Sequence, residues 1–384
     1  MNTENVKGFR DIEGECAERR VIIRNMLEET FRKYCFIPVE TPIIEYEEFV
    51  KSNNPNDEAV SNIFKLEDRG KRKLALRYEF TFQLKRLAQN KKLPFKRYQI
   101  GPVFRDEPIG GNRWRQFTQC DIDVIGSTIK DEAEILQIIF EIFNKLKIKF
   151  TINLNNKKLL NEILDELKIK EENKEQVIRE IDKLNKLSEE EVIENLKKYN
   201  AEKALTIFKK PEKYFEKYKA YSEIAELRKI CSAYKIKFNF VSFLARGLSY
   251  YNGTIFEVKS DIKETLAGGG SYLVNGIQST GISFGLDRIE LLAKIDSPNK
   301  KTLLISINQD KKAIELAEKL RKNNIPCTIM YEKISKALEY ADSYKIPYVI
   351  FLGEEEAKKK KVKIRNMASG KEELISEEDL LKRL

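Results

Sequence analysis

The chain has 384 residues, 41% of them hydrophobic and 34% charged, and a formal charge of +10. That is enough chain for two or three domains with sizeable cores, and the basic balance suits a nucleic-acid partner. No run of eighteen apolar residues is present to span a membrane, and the absence of histidine excludes imidazole catalysis and imidazole metal ligation. Five scattered cysteines (Cys16, Cys35, Cys120, Cys231, Cys327) without a C-x-x-C pair predict reduced thiols in a cytosol and no zinc site of the usual spacing. The first twenty residues lack the apolar stretch of a secretory signal.

Residues 7–11, KGFRD, read as a short polar turn. From about Cys16 to Tyr34, residues Val21, Ile22, Met26, Leu27 and Phe31 recur at helical spacing. FIPVETP (36–42) is extended, because its prolines block a helix. Residues 73–90 begin as a strand and pass into a helix, with Glu79 and Thr81 near the switch; on its own, Thr81 also fits an N-cap.

Residues 98–126, YQIGPVFRDEPIGGNRWRQFTQCDIDVIG, read as two strands joined by a long charged loop. From Phe117 to Ile125 the residues alternate. Thr118, Cys120, Ile122 and Val124 face a core, while Phe117, Gln119, Asp121 and Asp123 share the other face. The same parity traced back reaches Arg113 and Arg115, and Arg105 and Glu107 close the preceding strand. A ring, two carboxylates, an amide and arginines on one surface suit a ligand with an anionic end, a flat ring and an amino group. ATP together with an amino acid fits that description.

An amphipathic helix follows at 131–147, with Ala133, Ile135, Leu136, Ile139, Phe140, Phe143 and Leu146 on its apolar face. Residues 157–235, rich in Lys, Glu, Leu and Asn and free of glycine, read as a helical insertion whose charged faces meet solvent or RNA. In VSFLARGLSYYNGTIFEV (241–258), Arg246 beside Gly247 brings a fixed positive charge close to a ligand, and Tyr250 and Tyr251 open a strand running to Val258. The glycine run of AGGGSYL (267–273) is a weak turn signal. STGISFGLDRIELLAK (279–294) reads as strand, Gly285 and helix. Arg288 falls in the first helical turn, where the dipole disfavours a cation, unless both face a phosphate. SPNKK (297–301) marks a boundary. Beyond it KTLLISI, a helix at 311–322, PCTIMY, a helix at 333–344 and IPYVIFLG read as a βαβαβ domain with a mostly parallel sheet. The basic run Lys358–Lys361 suits phosphate contact or plain solvation.

The F-R-x-E, loop, R-x-R-Q-F, x-Q and acid pattern resembles motif 2 of the class II aminoacyl-tRNA synthetases, and its Q-C-D-x-D text is similar to that of archaeal and eukaryotic histidyl enzymes. The helix and FIPVETP look like motif 1, and 279–294 looks like motif 3. Residues 73–90 resemble the histidyl family's L-R-x-[DE]-x-T segment. The stretch at 241–258 resembles its L-x-R-G-L-x-Y-Y-x-G-x-x-[FY]-E signature, with Ser249 where the family carries Asp. AGGGSYL resembles G-G-R-Y-D, with Ser271 and Leu273 in place of the arginine and the acid, and Tyr272 retained.

The resemblance implies an α+β catalytic domain over residues 1–298, an antiparallel sheet flanked by helices and carrying the helical insertion at about 157–235. A smaller α/β anticodon-binding domain follows over 300–384. It implies a cytoplasmic homodimeric histidine–tRNA ligase that uses ATP with Mg2+ to activate histidine and charge tRNA(His). By the same resemblance Arg105 holds the α-phosphate, Glu107 reads the adenine amino group and Phe117 stacks on the adenine. Arg113 and Arg288 bind the terminal phosphate. Glu79, Thr81 and Gln119 take the α-amino group, and Asp123, Tyr251 and Tyr272 read the imidazole. Arg246 bridges the substrate carboxylate and the α-phosphate. Two alternatives stay open: a non-catalytic regulator of the same fold, whose known form lacks the last domain, and a tRNA-sensing module, which Ser249 and Ser271 keep in play.

Overall fold

The structure, a computed structural model, describes residues 1–51, 58–185, 187–245, 250–295 and 301–384. It divides into two units, Met1–Ile295 and Asp296–Leu384, each with its own apolar core.

Among the described residues the first unit is built on an eight-stranded sheet. Its strands are β1 (Ile37–Pro38), β2 (Phe95–Phe104), β3 (Gln116–Ile125), β4 (Thr151–Asn156), β5 (Asn239–Phe240), β6 (Tyr251–Lys259), β7 (Ala267–Val274) and β8 (Ile277–Gly285). They lie in the order β1-β2-β3-β8-β7-β6-β4-β5. The six inner strands are antiparallel to one another, and the short outer strands β1 and β5 pair parallel.

The alternation along β3 is what gives this sheet two chemically different faces. Cys120, Ile122 and Val124 enter the main core together with Ile282 and Phe284 of β8. Helices α1 (Gly14–Lys33), α2 (Ile129–Lys145) and α3 (Leu286–Leu292) contribute Ile23, Leu27 and Phe31, then Ile135, Leu136, Ile139 and Phe143, then Ile289. The Phe31 ring lies 5.6 Å from Tyr98 and 5.9 Å from Phe284. Each fully buried Ile, Leu or Phe of this kind contributes roughly 1.5–3 kcal/mol. α2 begins with a capping box. The Thr128 hydroxyl accepts from the Lys130 N–H at 3.3 Å and Asp131 accepts from the Thr128 N–H at 2.8 Å. In α1 the buried stripe is Ile23, Leu27, Thr30 and Phe31, and Val21, expected on the apolar face, is exposed.

The expected strand-to-helix segment at 73–90 is a strand Lys73–Leu76 and a single turn Leu84–Leu87. Lys73–Leu76 is the middle strand of a small antiparallel sheet with Ile44–Tyr46 and Lys65–Glu67. Between β4 and β5 the chain runs through helices Lys157–Glu166, Glu171–Asp182, Glu189–Lys197, Glu202–Phe208 and Tyr221–Ala233. Their Leu160, Ile163, Val177, Leu196 and Phe208 belong to the same core cluster as the sheet.

The second unit has strands β9 (Thr302–Ser306), β10 (Cys327–Met330), β11 (Tyr348–Leu352), β12 (Lys361–Asn366) and β13 (Glu372–Ser376), ordered β10-β9-β11-β12-β13. Helix Asp310–Lys322 covers one face and Ile334–Ser343 the other. β9 is parallel to β10 and β11, as expected. β12 and β13 add an antiparallel hairpin, so the sheet is mixed and not mostly parallel. Val362 and Ile364 alternate with lysine and arginine and are buried, which is the strand signal that the basic surroundings of 358–365 obscure.

Candidate active site

The polar face of β3 forms the floor of a cleft of about 420 Å3. All the candidate residues except Arg246 line it: Glu79, Thr81, Arg105, Glu107, Arg113, Phe117, Gln119, Asp123, Tyr251, Tyr272 and Arg288. Arg246 lies outside the described residues, as does Ser249. A larger groove of about 840 Å3 lies on the helical insertion beside Tyr218 and Arg228. It is shallow, it shares no residue with the sheet's polar face, and the convergence of charged and aromatic groups favours the smaller cleft.

The cleft has a cationic end. Arg105 follows β2, Arg113 lies in the loop between β2 and β3, and Arg288 follows β8. The Arg105 Nε donates to the Tyr78 carbonyl at 3.1 Å, and its guanidinium lies 5.2 Å from the Phe117 ring centroid. Arg113 and Glu107 form an ion pair at 3.3 Å. Arg288 Nη1 donates to the Thr265 carbonyl at 2.7 Å. Arg115 does not line the cleft. It pairs with Asp106 at 3.0 Å and donates to the Glu107 carbonyl at 3.3 Å, because β3 begins only at Gln116 and strand parity does not carry back through the loop.

Six residues further along β3, about 20 Å at the rise of a strand, the chemistry is acidic. The Tyr272 hydroxyl donates to Asp123 Oδ1, and Arg97 pairs with Asp123 Oδ2 at 2.6 Å. Tyr250 donates to Glu79 at 3.3 Å and reaches Thr81 Oγ1 at 3.5 Å. Thr81 is not a helix cap, since that position belongs to Gln83. The Tyr250 ring centroid lies 4.8 Å from Tyr251 and 5.4 Å from Tyr272. Gln119 Nε2 donates to Ser283 Oγ at 2.8 Å.

Burial dominates the acid–base properties here. Burial pushes Glu79 up to about 7 despite the Arg105 charge, and pushes Asp121 up to about 8 despite Arg97. Asp123 is raised as well, again by burial, with Arg97 and the Tyr272 hydroxyl pulling it back.

The glycine run is strand, not turn, and it makes room. A Cβ on Gly269 would come within 2.0 Å of the Gly281 carbonyl, and one on Gly281 within 2.2 Å of Asp123 Oδ1. Ser271 donates to buried Glu132, and Leu273 is exposed. Neither therefore takes the place of the arginine or the acid of the resembled segment.

Sequence reading missed several contributors. Trp114 lines the cleft beside Arg113, and Arg10 of the KGFRD segment lies 4.6 Å from its ring centroid. Arg10 and Arg20 both pair with Asp287 Oδ1 at 2.9 Å, while Asp287 Oδ2 accepts from the Thr118 N–H at 2.7 Å. The signal for Asp287 was its place next to Arg288. Nothing in sequence spacing links either to residue 10.

The histidyl-tRNA synthetase family profile matches residues 8–289, and an anticodon-binding-domain profile matches residues 299–384. The chain is similar to histidine–tRNA ligase 2 of Shouchella clausii, with 35% identity covering 97% of this chain and 98% of the relative. A crystal structure of histidyl-tRNA synthetase from Nostoc sp. PCC 7120 superposes with a TM-score of 0.85 at 25% identity, covering all of both chains. A Bacillus halodurans structure titled as an ATP phosphoribosyltransferase regulatory subunit/histidyl-tRNA synthetase shares the fold. Its TM-score is 0.75 at 20% identity, over 88% of this chain and 96% of that one.

The raised carboxylates set a sign for stability against pH. Glu79 and Asp121 ionise at about 7 and about 8 in the folded chain but near 4 when unfolded. Between those values the folded chain binds more protons, so their contribution is complete below about pH 4 and is lost as pH rises toward about 8. Asp121→Asn should flatten the fall in melting temperature of the ligand-free protein between about pH 4 and about pH 8. Melting curves with the same pH slope in both proteins would remove the raised Asp121 value.

Proposed function

The chain belongs to the histidyl-tRNA synthetase family, and we propose that it is a histidine–tRNA ligase whose ATP-dependent step takes place in the cleft over β3. The observation that carries this reading is the gradient along one strand face, from arginines and Phe117 at the loop end to Glu79, Asp123 and Tyr272 at the other. A nucleotide's phosphates suit the first end, and an amino acid with an N–H-bearing ring suits the second.

Activation needs no general base, because the attacking carboxylate of histidine is already ionised at neutral pH. It attacks the α-phosphorus, charge grows on the pentavalent phosphorus oxygens, and pyrophosphate leaves. Catalysis becomes positioning and charge stabilisation. Arg105 takes the α-phosphate, and Arg113 and Arg288 take the terminal one. Phe117 supplies a face for the adenine and Glu107 an acceptor for its amino group. At the other end Glu79, Thr81 and Gln119 hold the α-ammonium, and Asp123, Tyr251 and Tyr272 hold the ring. Arg246 carries the bridge between carboxylate and α-phosphate on the strength of the sequence resemblance alone. Mg2+ accompanies ATP. No three acid or thiol groups gather into a cage among the described residues, a donor set that suits an ion held mainly by phosphate and water.

Histidine-dependent exchange between ATP and pyrophosphate tests the assignment, and a pure protein without it would not be this enzyme. Within that assay Arg246→Ala should slow adenylate formation by roughly a hundred- to a thousandfold, the usual cost of one preorganised donor. Arg246→Lys should recover part, since lysine lacks the bidentate fork. Transfer from preformed adenylate to tRNA should suffer less. Activation by Arg246→Ala at the wild-type rate ends the role.

Residues 300–384 are assigned to the anticodon side of tRNA(His), and 1–298 to catalysis. Support comes from the separate cores of the two units. Removing 300–384 should spare pyrophosphate exchange and impair aminoacylation. Loss of both in a folded truncated protein would contradict the division.

The protein is further proposed to be a cytoplasmic homodimer joined through the motif 1 elements. No described helix is long and apolar enough to cross a membrane. Ile37 of FIPVETP and Ile43, Ile44 and Tyr46 just after it are exposed large apolar side chains that a partner surface would cover. Light scattering at micromolar concentration should give twice the chain mass; a monomer mass would exclude the dimer.

A further inference from the structure

Arg97 is wholly buried, with 0% of its surface exposed, and heads the fully buried large side chains among the described residues. It sits on β2 directly across from Asp123 on β3 and outside the cleft lining. A buried guanidinium is expensive unless paired. Here Nη2 donates to the Phe80 carbonyl at 3.2 Å and lies 2.6 Å from Asp123 Oδ2, an ion pair outside hydrogen-bonding geometry. Nε and Nη1 have no hydrogen-bond acceptor among the described residues. An apolar side chain would fill this strand position without that electrostatic cost, so packing does not explain the arginine.

Its two partners do. Phe80 lies between Glu79 and Thr81, the residues proposed for the α-ammonium, and Asp123 is the residue proposed for the ring. One nitrogen thus ties the two halves of the amino-acid pocket together. Arg105, Arg113, Arg288 and Phe117, proposed for ATP, make no hydrogen bond to it. We propose that Arg97 is a positioning residue for histidine recognition, which orients the Asp123 carboxylate toward the ring and fixes its spacing from the Glu79–Thr81 segment. This rests on the assignment of the cleft to histidine and ATP.

The test uses the full chain and four proteins: wild type, Arg97→Met, Arg97→Lys and Asp123→Asn. For each, KM values for histidine and for ATP are taken from pyrophosphate exchange. Binding of histidinol, which keeps the amino group and the ring, is measured directly, and a melting curve is recorded. Arg97→Met should raise histidine KM and histidinol Kd by roughly tenfold or more, the scale of a lost contact to a charged group, with ATP KM within about twofold. Arg97→Lys should recover part of the histidine loss, because its ammonium keeps the charge beside Asp123 but not the fork. Equal rises in both KM values, or lysine no better than methionine, would overturn the role in favour of general structural support. If Arg97→Met does not fold, Arg97→Lys decides. A raised histidine KM with unchanged ATP KM upholds the proposal, and any other pattern ends it. Asp123→Asn separates the two levels. If it leaves histidine KM unchanged, the assignment of the pocket fails. If it raises histidine KM while the Arg97 variants do not, only the positioning role fails.

Discussion

A carboxylate removed from water must find a cation or keep a proton, and the cleft of this protein is arranged around that constraint. Glu79, Asp121 and Asp123 are buried on or beside one strand face, and the buried guanidiniums of Arg97 and Arg77 lie near them. Arg97 acts on Asp121 and Asp123 and Arg105 acts on Glu79, yet burial outweighs both: Glu79 is pushed up to about 7 and Asp121 to about 8. The chain has no histidine, so no side chain with an ordinary pKa near neutrality exists in it. These buried acids occupy that range instead.

Much of this was legible in the sequence because β3 is a strand with one wet face and one dry one. The period of two in FTQCDIDVI separates Cys120, Ile122 and Val124 from Phe117, Gln119, Asp121 and Asp123 without reference to any other element. The same local logic identified α1, α2 and the strand–Gly285–helix unit. It failed wherever the answer depended on register between distant segments. That Arg97 faces Asp123 follows from β2–β3 pairing, and that Gly281 leaves room for the same carboxylate follows from β3–β8 pairing. Neither pairing is readable from spacing. Arg115 failed for the opposite reason: a period of two was extended into a loop that has no period. In α1 the spacing was right and the phase was off, because Ile23 and not Val21 leads the buried stripe.

The helical insertion follows a similar lesson at larger scale. Its Lys-rich composition pointed to faces turned to solvent or RNA, and its apolar residues belong to the core that includes the sheet. Its place between β4 and β5, both in the sheet, explains this. The chain leaves and re-enters the same layer, so the intervening helices have the sheet's outer strands to pack against. The second unit is the contrasting case. Its sheet is closed on both faces by its own helices, and its strands β12 and β13 use alternation of Val362 and Ile364 with basic residues to stay half-wet.

Two arginine–carboxylate pairs in the cleft region illustrate how burial, and not chemistry, sets their behaviour. Arg113 and Glu107 lie 3.3 Å apart with 53% and 20% of their side-chain surfaces exposed. Such a pair contributes about 0–1 kcal/mol, less than a phosphate or an adenine offers either partner, so ligand entry can part them at little cost. Arg97 and Asp123 lie 2.6 Å apart with 0% and 5% exposed. Removing one partner of a pair like that costs roughly 3–5 kcal/mol because the other charge is left stranded. The first pair can open and close at little cost. The second stays closed and holds its carboxylate in one orientation. The same two residue types thus form a loose pair at the solvent end of the cleft and a fixed pair beneath its buried end.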